Sequence, residues 1–171
     1  MHIEKNVFDN VFYTVMDNKD KTKDNLKARQ DLGVYCRQSE LELKALQNGK
    51  LAKPKANFTL TMEQRREIYF WLEGLKMSNG YASNIARCVG MNGGKLVGMK
   101  SHDCHVFMER LLPIAFSALP ESIWKPITEL CHFFRDVLYR SARRYVVVDG
   151  DKYFSHIVQV RMNISTRIFF M

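Results

Sequence analysis

KLVGMKSHDCHVFMERLLPIAF, residues 95–116, sets the densest polar chemistry of the chain directly against a strongly apolar run. Glycines at 93, 94 and 98 mark a loop before it. Ser101 is placed to cap a helix, its hydroxyl accepting from an otherwise orphaned backbone N–H. Val106, Leu111, Leu112 and Ala115 then keep an apolar helical stripe. His102 and His105 stand three apart and point roughly the same way. Asp103 and Cys104 lie between them, at the positive end of the helix dipole. A core helix that opens on such chemistry predicts a mainly α fold organised around it.

Toward the C-terminus, Pro120 suits the first turn of another helix, which turns Trp124, Ile127, Leu130, Cys131, Phe134 and Leu138 inward. The two helices predict a packed hairpin about the Leu119-Pro120 corner. Pro113 and Pro126 fall inside these patterns, and each is expected to kink or divide its helix. Beyond Arg144 the pattern changes. Residues 145–148, the turn-forming Asp149-Gly150 and residues 153–160 read as a short β-hairpin, with 163–170 as a third strand.

Toward the N-terminus, Thr61 and Gln64 form a capping box for a helix over 62–77 that carries Ile68, Trp71, Leu72 and Leu75. Arg65 and Arg66 read there as solvated charges. Tyr69, Phe70 and Trp71 read as core in preference to a base-stacking platform. Between this helix and residue 95, a short helix over 83–89 is bracketed by glycine-rich breaks. Lys50, Lys53 and Lys55 around Pro54 read as a solvated basic connector, not a patch tracking phosphates. Residues 39–47 read as a helix ended by Asn48-Gly49. Thr22 is placed to cap a helix that Gly33 stops. At the start, Ile3, Val7, Val11 and Val15 repeat every four residues beside Phe8 and Phe12, an amphipathic helix over 2–16.

The 171 residues suit one ordinary domain, and 46% apolar content is too high for a disordered tail. A formal charge of +8 suits an acidic partner, nucleic acid above all. Cys36, Cys88, Cys104 and Cys131 form no CxxC pair and read as reduced thiols of an intracellular protein, nuclear or cytoplasmic. No apolar run approaches membrane-spanning length.

For chemistry, the candidates are His102 and His105 as metal ligands, with Asp103 and Cys104 beside them. Imidazole, carboxylate and thiolate are ligand types of zinc. One turn supplies only half a site, so a second pair would have to come from Cys131 and His132, or from Cys88. The other reading is a plain helix start, with Asp103 favourable at the dipole and His105 hydrogen-bonded in the core. The residues favour this second reading. Neither a nucleophile elbow nor a two-carboxylate cage is visible.

Several stretches together carry a resemblance. MHIEKNVFDNV at 1–11, KTKDNLKARQDL at 21–32, GYASNI at 80–85 and KLVGMKSHDCHVFMERLLPIAF at 95–116 resemble the transposase of plant CACTA (En/Spm-like) DNA transposons. LPESIWKPITELCHFFRDV at 119–137 resembles the start of the transposon-associated domain of unknown function that follows it. The resemblance spans about residues 1–140, and MHIEKN and KSHDCH are its specific parts. It implies a helical part of an RNase H-like transposase, which cleaves transposon ends and transfers strands with two divalent metals, magnesium or manganese, held by acids. Zinc at His102 and His105 is a separate expectation. In the family an Asp three residues before the histidine corresponding to His2 completes a motif that this chain enters at its Met. The resemblance therefore implies three parts: transposase-like residues 1–118, the following domain's start at 119–140, and an unrelated tail at 141–171. The expected function is that of a transposase remnant, catalytically inactive alone. The alternative is a non-enzymatic DNA- or protein-binding module. DNA and a full-length transposase are the expected partners; a membrane is not.

Overall fold

Phe8, Phe12, Phe107 and Phe116 are fully buried and meet ring to ring, with centroids 5.2–5.9 Å apart. Each such ring withdrawn from water stabilises the fold by about 1.5–3 kcal/mol. Two come from the first helix and two from the stretch around residue 110, so the ends of a long sequence separation define one core. The computed structural model describes residues 2–35, 38–76, 84–90 and 95–142, excepting the side chains of 2 and 137–142. The β-hairpin expected over 145–160 and the strand over 163–170 lie outside these residues.

The chain is mainly helical: α1 (His2–Val15), α2 (Leu26–Tyr35), α3 (Met62–Glu73), α4 (Ser101–Val106), α5 (Leu112–Ala115) and α6 (Glu121–Ala142). Single 3₁₀ turns occupy Ser39–Leu41 and Ile85–Cys88, and a π turn spans Phe107–Leu111. In α1 the core face runs Phe8, Val11, Phe12 and Val15, whereas Ile3 is exposed. The helix closes on Asp17 in the left-handed region (φ 46°). There the Asp17 and Asn18 N–H groups donate back to Thr14 and Tyr13. Arg65 then donates to the Met16 carbonyl at 3.0 Å, a cation at the negative end of α1. It is therefore a helix-end cap and not the solvated charge its position suggests.

The apolar stripe of residues 106–115 is buried as expected, and Phe107 and Met108 are buried with it. Both stand four residues before the buried Leu111 and Leu112, and ordinary helical spacing puts them on that face. A π turn follows within the same stretch. Pro113 has no N–H to give the carbonyl four residues back. The Leu112 N–H reaches back five residues to Phe107, and the wider turn rotates the face. So Pro113 does divide its helix. Pro126 does not, because α6 runs through it without interruption. Pro120 opens α6, and its carbonyl accepts from Ile123 and Trp124. The Trp124 indole donates to the Pro113 carbonyl at 2.7 Å and fixes the hairpin of α5 and α6 about Leu119.

Other expectations are corrected. Helix α4 begins at Ser101, so Lys100 occupies the capping position; the Asp103 carboxylate accepts from the Lys100 N–H at 2.8 Å. Helix α2 starts later than Thr22 predicts. The Asn25 side chain accepts from the Ala28 N–H at 2.9 Å, and Gly33 lies within the helix. Residues 39–47 are not a helix. Asn48-Gly49, with Gly49 at φ 75°, is the turn of a minimal hairpin, β1 (Lys44–Ala45) with β2 (Leu51–Ala52). The capping box of Thr61 and Gln64 is present, but α3 stops at Glu73.

Candidate functional site

Glu4 sits one turn before Phe8 on the buried face of α1 and is only 3% exposed. Its Oε1 lies 2.6 Å from His105 Nδ1, and the other ring nitrogen, Nε2, lies 3.6 Å from Glu109 Oε2. A carboxylate at this depth needs such a partner, because leaving it unpaired costs several kcal/mol by order of magnitude. The pair thus locks α1 to α4 at the rim of the aromatic cluster.

The four polar residues that open α4 go separate ways. His102 is exposed, with its ring centroid 6.3 Å from that of His105. Asp103 caps the helix. Cys104 is fully buried, and burial, then the nearby Asp9, pushes its thiol up to about 11. It stays protonated at neutral pH, which disfavours nucleophilic or ligand duty. Cys131 is pushed by burial to about 12, and Cys88 is raised by burial and then by Asp103. Among the described residues no group of three or more His, Cys, Asp or Glu side chains is arranged to hold a metal ion.

A second polar cluster was not legible as one. Arg29 is 3% exposed and grips Asp24 with two nitrogens, at 2.5 and 2.8 Å, while donating to the Leu41 carbonyl at 2.9 Å and to Pro54 at 3.3 Å. Lys53 joins Asp24 at 3.0 Å. Burial alone would raise the Asp24 carboxyl, but hydrogen bonds from Arg29 and Lys53 outweigh it and hold it below its ordinary value. The supposed solvated connector is therefore tethered, and Ala56, Phe58 and Leu60 behind it are buried.

Helix α3 brings the other surprise. Ile68, Tyr69 and Leu72 are core and Trp71 packs against it, but Phe70 is 78% exposed. The sequence places Phe70 beside the apolar stripe; 100° per residue carries it past the edge. A cleft of about 430 Å³ opens between α3 and the turn after α1. No helix among the described residues is long and apolar enough to cross a membrane. No protein-family model, curated protein or solved structure matches the chain.

Proposed function

We propose that this chain is a helical remnant of a CACTA-type DNA transposase, one that associates with DNA and does not cut it unaided. The observation that supports the reading is the meeting of MHIEKN with KSHDCH, the two specific parts of the resemblance. They are joined through Glu4 and His105, 101 residues apart in sequence. In this reading the motif residues are the scaffold beside an RNase H-like core, and the acids that hold magnesium or manganese belong to other parts of the parental enzyme. The charge of +8 supports contact with DNA, as a module acting alone or beside a full-length transposase in the nucleus.

A nicking and strand-transfer assay on transposon-end DNA with magnesium or manganese tests the first half, and the expected product yield is nil. Retention on duplex DNA that falls steeply with salt tests the second. Cleavage by the purified chain, or salt-independent retention, would contradict the reading. Zinc held by His102 and His105 is a separate proposal, and equal zinc content in wild type and His105→Ala would rule out a part for His105.

A further inference from the structure

The outward side of α3 carries side chains that core packing does not use. Met62, Arg66 and Phe70 follow one another at four-residue spacing and share a stripe. Met62 is 69% exposed, Phe70 78%, and Arg66 is exposed as well. Arg66 also borders the cleft, with Lys19, Arg65, Tyr69 and Lys95. Two carboxylates are there too, and both are occupied. Asp20 is held by Lys95 at 2.7 Å, and Asp17 lies between Lys53 and Arg65 at 3.8 and 4.0 Å. Lys19 and Arg66 have no hydrogen-bond or ion-pair partner among the described residues.

Tyr69 supplies the independent observation. It is only 5% exposed and lines the cleft, yet its hydroxyl makes no hydrogen bond among the described residues. Burial, then Tyr13, pushes the phenol up to about 12, so it remains an O–H donor at neutral pH. The ring is buried but the hydroxyl opens onto the cleft. A phenol donor there, beside two uncommitted cations, matches an anion, because each hydrogen bond would then be charge-assisted. Phe70 stands about 40° round the helix from Arg66 and offers a bare ring face next to that anion position. Glu63 and Glu67, exposed beyond Phe70, repel phosphate on that side and keep it toward Arg66.

We propose that α3 binds single-stranded DNA, with a backbone phosphate against Arg66, Lys19 and the Tyr69 hydroxyl and the adjoining base stacked on Phe70. The inference rests on the proposed association with DNA and sharpens it, since a duplex hides the base faces that Phe70 would need.

Fluorescence anisotropy with a labelled thymidine oligomer of about a dozen nucleotides, and with a duplex of the same length, tests this across a salt series. The single strand is expected to bind more tightly. Phe70→Ala weakens it about 5- to 150-fold and leaves duplex binding unchanged. Arg66→Gln lowers the log–log salt slope by about 0.7, the loss of one phosphate contact. Both side chains are exposed, so thermal melts of the variants should overlay the wild type. Single-strand binding that survives Phe70→Ala overturns the site. Wild type that holds duplex but not single strand overturns it while DNA association stands, and wild type that holds neither removes both. Self-association abolished by Phe70→Ala, without oligonucleotide binding, would make the stripe a contact between copies and also overturn the proposal.

Discussion

Glu4 reaches His105 across 101 residues of sequence at the edge of an aromatic core, whereas Asp24 reaches Arg29 only five residues away. In the first contact, stacked rings and two helices already define the geometry, and the Glu4–His105 hydrogen bond ties the helices together. In the second there is little regular structure to rely on. From residue 38 to residue 60 the chain has one 3₁₀ turn and two two-residue strands. A single buried guanidinium collects the Leu41 and Pro54 carbonyls and Asp24 instead. Apolar packing sets the first contact, whereas around the second a charged knot reinforces the burial of Leu41, Ala56, Phe58 and Leu60.

Several changes would sharpen or break that contrast. Phe107→Ala removes a ring in contact with both Phe8 and Phe12, and should cost about 3–5 kcal/mol in urea unfolding. Arg29→Ala leaves Asp24 buried beside Lys53 alone, and should cost about 3 kcal/mol. It should also expose residues 38–60 to protease before the aromatic core opens. If the two variants loosen the same segment, the knot adds nothing local to residues 38–60 beyond the shared core.

Acid should act on the knot. Asp24 titrates below its ordinary 3.8 in the folded chain, so its contribution is present above that value. It is lost as pH falls through the lowered folded value. Asp24→Asn should therefore be less stable than wild type at neutral pH and should flatten the acid arm of the stability profile. An unchanged arm would place the acid sensitivity elsewhere. The smallest effect is expected at Lys95, whose contact with Asp20 is exposed. Lys95→Gln should leave the melting curve where it was.

What the sequence made legible follows the same division. Phe8, Val11, Phe12 and Val15 of α1, the Thr61–Gln64 box, and Ile127, Leu130 and Cys131 on the inward face of α6 are periodic signals set by local geometry, and they appear where the pattern puts them; Ile3 does not, and the Leu138 side chain lies outside the described residues. Glu4 was hidden among those rows, although a carboxylate in line with Phe8 and Phe12 is itself the clue that a partner must come from outside α1. Arg29 was less legible, because its acceptors at residues 41 and 54 are carbonyls that any residue supplies. Asn48-Gly49 could have announced a hairpin, but lysine and glutamate around it imitate a helix. Phe107 and Met108 stand four residues before Leu111 and Leu112, and that spacing already carried them to the core face. Phe70 differs from its buried neighbours by one helical position, which periodicity over so short a helix does not resolve.

Glu4 and His105 act as one unit that joins the two motif-bearing stretches. A double-mutant cycle with Glu4→Gln and His105→Asn, read by urea unfolding, measures that directly. The structure predicts a coupling between the two changes of about 1–3 kcal/mol. Strictly additive losses, with no coupling, would mean that the motifs merely lie near each other and that the polar contact does not join them.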